Sequence, residues 1–325
     1  MKTADGPGAA ASAHSDGLLA IHERILTASA AEARHVELRS GQRVHVIETG
    51  EGENVLFLHG SGTSSLSLLP VIERLDGVRA IAVDRPGFGL SDPVRVPRER
   101  FRNAAVGFID EILDELGLET CGLAGQSMGG TWSLWYALTR PGRVRRLALL
   151  SSAPLLPRTR PPAPLRMMAT PVIGDLLARV KPNPKLAVRL MSSFGEEDTI
   201  VRHPDLIEVL VAAGRDPIAS AANLAELRAI IWPLGFRRSG QVHTDELRRL
   251  TVPTLLIWGD HDPVGTVNVA EATARLIPEA RLEILPAGHV PHLGNPERVS
   301  GLLSEFFCSG ATDFPLVARK APRHG

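Results

Sequence analysis

The chain has only two cysteines, Cys121 and Cys308, among 325 residues. They lie far apart, each in an apolar context, so the sequence predicts two buried thiols of a reduced compartment and no disulfide framework. It also lacks an excess of charge of either sign: 36 basic residues balance 36 acidic ones. No overall field draws the chain to nucleic acid or to an acidic membrane surface. No stretch approaches the roughly 18 apolar residues of a membrane span. The opening residues, MKTADGPGAAASAHSD, contain no apolar core of a secretory signal and read as a disordered tail. A cytoplasmic enzyme with no membrane or nucleic-acid partner is the expectation. No internal repeat is present.

The composition is that of a folded chain, with 44% hydrophobic and 22% charged residues, and the length suits one core with an insertion. Arg34–Arg39 and Arg43–Glu48 alternate polar with apolar around Ser40-Gly41, an opening hairpin. Short, almost wholly apolar runs follow at Val55–Leu58, Ala80–Val83, Gly122–Ala124 and Leu147–Leu150. Such runs belong to parallel strands covered on both faces by helices. A helix is predicted over Phe101–Leu116 from its apolar spacing. The alternation resumes with a strand at Thr254–Trp258, a helix near Val267–Ile277, a strand at Arg281–Leu285 and a last helix with Asn295 as N-cap and Pro296 as first residue. The fold class is α/β, a mostly parallel doubly wound sheet.

Between about Ala153 and Leu250 the rhythm breaks. A run of prolines is followed by short amphipathic segments with no convincing strand, which reads as a helical insertion emerging at one end of the sheet, where it can cover a site formed by loops. The predicted organisation is an N-terminal tail and leading helix (1–33), a core in two parts (34–152 and 246–310), a helical cap (153–245) and a C-terminal tail (311–325).

Gly125-Gln126-Ser127-Met128-Gly129 is a G-x-S-x-G directly between a predicted strand and a predicted helix, the setting in which a strained turn holds a serine hydroxyl out for attack. A hydroxyl is a poor nucleophile near neutral pH and needs a base, itself oriented by a third group. Asp260 and Asp262 follow the next-to-last strand and compete for the orienting role, with Asp262 favoured. Of His261, His289 and His292, only His289 sits immediately past a strand on a Gly-His turn. His292 is expected in the pocket or on the surface. The amides of Ser61, in His59-Gly60-Ser61-Gly62, and of Met128 are candidates for an oxyanion hole. His59 has no identifiable carboxylate partner and is assigned a structural hydrogen-bonding role.

In combination, His59-Gly60, Asp84-Arg85-Pro86-Gly87-Phe88-Gly89-Leu90-Ser91-Asp92, the Ser127 elbow, Gly259-x-x-Asp262 and Gly288-His289 resemble the α/β-hydrolase family across residues 34–152 and 246–308. The resemblance implies Ser127 as nucleophile, Asp262 as acid and His289 as base, a cap over 153–245, and no metal or organic cofactor. It disfavours the haloalkane dehalogenases and epoxide hydrolases, whose elbow carries an aspartate, because Ser127 would give an acyl-enzyme.

The leading expectation is an esterase acting on a small molecule with an apolar group. The alternatives are a carbon–carbon bond hydrolase of ring-fission-type diketones and a non-catalytic receptor using the same pocket. A ring-fission substrate's carboxylate would need cations such as Arg189, Arg228, Arg237 or Arg238. An apolar group would instead meet Met167, Met168, Leu190, Met191, Ile231 and Leu234. Gly60, Phe194, Trp232, Phe236 and Val290 complete the candidate pocket.

Overall fold

In the computed structural model, which describes residues 14–309, ten strands and fourteen α-helices are formed. In chain order the first half contains α1 (Asp16–Thr27), β1 (Glu32–Glu37), β2 (Arg43–Thr49), β3 (Glu53–Leu58), α2 (Leu69–Ile72), β4 (Val78–Val83), α3 (Phe101–Glu115), β5 (Cys121–Gln126), α4 (Met128–Thr139) and β6 (Val144–Leu150). There follow α5 (Ala163–Ala169), α6 (Ile173–Leu177), α7 (Pro184–Ser192), α8 (Glu197–Ile200), α9 (Pro204–Arg215) and α10 (Pro217–Ile230). Two short strands, β7 (Ile231–Trp232) and β8 (Gly235–Phe236), and α11 (Thr244–Arg248) complete this stretch. The core resumes with β9 (Thr254–Gly259), α12 (Val267–Leu276), β10 (Ala280–Leu285), α13 (Pro291–Gly294) and α14 (Pro296–Cys308).

Eight strands form one sheet in the order β1-β2-β4-β3-β5-β6-β9-β10. The pairs β1–β2 and β2–β4 are antiparallel, and every later pair is parallel. Alternate residues of β3 show why these strands read as unbroken apolar runs. Leu56 and Leu58 enter one core with Ile109 and Trp135, while Val55 and Phe57 enter the other with Ile72 and Phe306. The chain leaves β3 toward β4 on one side and returns to β5 on the other. The ends of β3 and β5 therefore flank the crevice where a doubly wound sheet binds ligands.

Several local expectations are revised. Residues 1–13 of the expected tail and 310–325 at the other end lie outside the described residues. Positions 14–16, assigned to the tail, are held instead: the Ser15 amide donates to Asp216 at 2.7 Å, His14 Nδ1 lies 3.2 Å from the same carboxylate, and Asp16 begins α1. The helical stretch after β6 does contain strands, since β7 and β8 pair as a minimal hairpin too short to show a period in sequence. Cys121 is buried, which pushes its thiol up to about 12, but Cys308 is exposed, because the end of α14 leaves it facing outward. Asn295 occupies the N-cap position of α14, yet its side chain accepts from no helix amide and instead donates to the Pro286 carbonyl.

Candidate active site

Ser127 sits between β5 and α4 with φ 51° and ψ −117°, a left-handed conformation that costs a non-glycine residue on the order of 1–3 kcal/mol. The turn is possible because its neighbours have no side chains. A Cβ on Gly129 would lie 2.2 Å from the Leu58 carbonyl oxygen, and one on Gly125 would lie 2.5 Å from the Gly129 backbone. The elbow therefore packs against the end of β3 with no room for alanine.

The loops after β9 and β10 bring two further groups to this serine. His289 Nε2 is 2.8 Å from Ser127 Oγ, and its Nδ1 is 3.0 Å from both carboxylate oxygens of Asp262. With the proton on Nδ1, the imidazole donates to Asp262 and accepts from the serine hydroxyl. Asp262 is buried and receives the amides of Val264 at 2.8 Å and Gly265 at 3.2 Å, so its own orientation is fixed. Asp260 is partly exposed and faces the other way, toward His261 Nδ1 at 2.5 Å and the Ala287 amide at 3.1 Å. The histidine is clamped on three sides. Its amide donates to the Phe194 carbonyl at 3.0 Å, its carbonyl receives Gln126 Nε2 at 3.0 Å, and the Phe194 ring stacks on the imidazole at 5.5 Å.

Met128 begins α4, where first-turn amides have no acceptor within the helix, and it lines the cavity over Ser127 together with Ser61. The Ser61 loop is braced from beneath. His59 is fully buried between the Gly60 carbonyl, 2.7 Å from its Nδ1, and the Arg85 amide, which donates to its Nε2 at 3.0 Å. Burial, reinforced by the Arg85 charge, pushes its imidazole down to about 3, so it is neutral at physiological pH.

The Arg85 guanidinium donates at 3.0 Å to each of the His59 and Gly60 carbonyls and pairs with Glu226 of α10. Glu226 also accepts from Ser61 Oγ at 2.6 Å. Asp84, one residue earlier, accepts from the Ser65 and Leu90 amides and lies 2.8 Å from His45 Nδ1. Burial alone would raise its carboxyl, but the His45 hydrogen bond and charge outweigh it and hold the group below the usual carboxylate range.

Above Ser127 lies a cavity of about 160 Å³. Of the expected pocket residues it is lined by Phe194, Phe236 and Val290, and by Met168, Leu190, Met191 and Ile231. His292 also lines it, fully buried, and burial followed by the nearby His289 pushes its imidazole down to about 3.

Trp232 is a correction: it is 43% exposed and borders a separate surface cleft with Arg237 and Arg238, because alternation along β7 turns Ile231 inward and its neighbour outward. Gly60 is another. It does not line the cavity but packs against the Ser127 Cβ, 3.3 Å from where its own Cβ would stand. Met167 and Leu234 also lie off this cavity. Arg228 pairs with Asp175 at 2.8 Å, and none of the four arginines named as carboxylate anchors reaches the lining.

Sequence reasoning missed Glu226 and Glu196. Glu196 accepts from the Val290 amide at 2.7 Å beside His289, and burial raises its carboxyl. Each was one acidic residue among many in amphipathic segments, with nothing local to set it apart. Arg85 stood inside a recognised motif, but its partner is 141 positions away.

A strained serine on a β5–α4 elbow, a histidine after the last strand and an aspartate after the one before it, on this sheet order, define the alpha/beta hydrolase fold. A family model of that description matches residues 53–296, and the chain belongs to the family. It is 27% identical over 298 residues to a 2-hydroxy-6-oxononadienedioate/2-hydroxy-6-oxononatrienedioate hydrolase of Paraburkholderia phymatum, covering 87% of this chain and 98% of the relative. It is 30% identical over 289 residues to haloalkane dehalogenase 2 of Mycobacterium tuberculosis, covering 82% of this chain and 91% of the relative. The crystal structure of carboxylesterase CesB (YbfK) from Bacillus subtilis superposes with a TM-score of 0.69 at 25% identity, covering 91% of this chain and all of that one.

Proposed function

We propose that the protein hydrolyses carboxylic esters bearing an apolar group, through an acyl-enzyme on Ser127. Ser127 Oγ attacks the acyl carbon as His289 Nε2 takes its proton, and Asp262 stabilises the imidazolium. The amides of Ser61 and Met128 receive the developing oxyanion. The leaving alcohol takes the proton from His289, which then activates the water that releases the acid.

One observation carries the choice of substrate class: among the described residues, no lysine, arginine, aspartate or glutamate lines the cavity over Ser127. The Paraburkholderia relative is named for a dicarboxylate. A carboxylate placed in this cavity would be desolvated without a cationic partner, which argues against that chemistry for this chain. A serine at the elbow supports acyl rather than alkyl transfer. The complete serine, histidine and aspartate array argues against a receptor without turnover.

The test is hydrolysis of p-nitrophenyl esters from acetate to decanoate beside a ring-fission diketone acid. Each methylene buried is worth about 0.8 kcal/mol, so kcat/KM should rise roughly fourfold per methylene until the cavity is filled. Turnover of the diketone acid with every ester inert would overturn the proposal.

A further inference from the structure

The overall charge balance conceals a strongly asymmetric segment. Between positions 158 and 195 there are seven basic residues and one acid, Asp175, and that acid is paired with Arg228 of α10. Among the described residues, none of the seven cations makes an ion pair, and all are exposed. The same segment carries apolar surface that the fold leaves uncovered. Of the fourteen exposed large apolar side chains among the described residues, eight fall between positions 167 and 190, with Val172 77% and Leu176 64% exposed. An apolar face interspersed with unpaired cations is the composition that enters the headgroup region of an anionic bilayer.

A second cavity, of about 490 Å³, lies at this face and is lined by Met167, Leu177, Val180 and Leu186. It shares Gly62, Met168, Leu190, Leu210 and Asn223 with the cavity over Ser127, and among the described residues no lysine, arginine, aspartate or glutamate lines either space. The two apolar cavities therefore adjoin across these shared residues, between the basic surface of α5–α7 and the serine.

Resting on the esterase reading above, we propose that this face docks on an anionic lipid surface and that the outer cavity admits the acyl chain of a lipid ester from that surface to Ser127. The neutral total charge pointed away from a membrane partner because it averages this segment with the rest of the chain.

The test uses the full chain with vesicles of phosphatidylcholine alone or mixed with phosphatidylglycerol. The Ser127→Ala protein should co-sediment with the anionic vesicles and not with the neutral ones, and about 0.5 M salt should release it by screening. At about 1 kcal/mol per basic residue near the surface, Lys181→Glu/Lys185→Glu should weaken partitioning roughly thirtyfold or more. Ile173→Ser/Leu176→Ser, which touches neither cavity, should weaken it as well. With the serine intact, both double variants should hydrolyse a soluble short-chain ester like the wild type, yet lose hydrolysis of a long-chain ester presented in anionic vesicles.

Equal binding to both vesicle types, or none, overturns the docking proposal even where soluble esters are turned over. A wild-type dimer in sedimentation that Ile173→Ser/Leu176→Ser converts to a monomer identifies the face as a contact between copies of the chain and overturns it too. Anionic binding with no turnover of any ester overturns the lipid-ester substrate and the reading of Ser127, and leaves the docking surface standing.

Discussion

Arg85 and Glu226 form a fully buried ion pair that joins helix α10 to the loop carrying Ser61. The guanidinium also donates to two carbonyls of that loop and lies over the rings of Phe88 at 4.7 Å and Trp132 at 5.1 Å. The guanidinium thus holds backbone and the carboxylate holds the Ser61 hydroxyl, and the helices after β6 are coupled to the proposed oxyanion loop.

Glu226→Gln leaves a buried guanidinium without its counter-charge, a change that costs roughly 3–5 kcal/mol. Urea denaturation should show that loss. The kcat for a short ester should fall more than KM rises, because the Ser61 amide loses its brace while the apolar walls remain. Arg85→Met/Glu226→Leu removes both charges and should recover much of the stability without recovering kcat. Recovery of both by the double variant would show that the pair does not position the loop.

The two neighbouring carboxylates should separate cleanly. Asp262→Asn disturbs the carboxylate bonded to His289 Nδ1 and should lower kcat by several orders of magnitude. Asp260→Asn, whose partners are His261 and the Ala287 amide, should stay within a few-fold of wild type. The reverse ranking in ester hydrolysis would reassign the acid.

Acid should destabilise the protein well before its carboxylates titrate. Burial pushes His22 down to about 4, and His59 and His292 down to about 3, whereas in the unfolded chain each titrates near 6.5. Below that value the unfolded state binds protons that the folded state excludes, so stability is greatest above pH 6.5 and falls as the pH drops toward 4. Each histidine contributes a slope of about 1.4 kcal/mol per pH unit in that window. His22, whose ring nitrogens have no partner, is the one to remove. His22→Leu should keep stability at pH 7 and flatten the decline measured by urea denaturation between pH 7 and 5, and an unchanged slope would contradict the assignment.

The doubly wound sheet was legible because parallel strands buried on both faces leave apolar runs, and β3, β5 and β9 show no competing pattern. The serine elbow was legible because its glycines are required by backbone approaches of 2.2–2.5 Å and so leave a local mark. The pocket was less so. Trp232 was placed inside it on residue type alone, but the two-residue strand β7 decides which side chain turns inward, and so short an element has no period. Glu226 was illegible because its meaning comes from Arg85, 141 positions earlier in the chain. The proposed docking face was hidden by averaging, since a net charge of zero says nothing about where the charges sit.

Trapping with a fluorophosphonate tests most directly whether Ser127 carries the acyl group. Intact-mass spectrometry of the treated protein should show a single adduct, peptide mapping should place it on Ser127, and labelling should parallel the loss of p-nitrophenyl ester turnover. Ser127→Ala should show neither adduct nor turnover while keeping its fold. An adduct on another residue, or wild-type turnover by pure Ser127→Ala protein, would contradict the account.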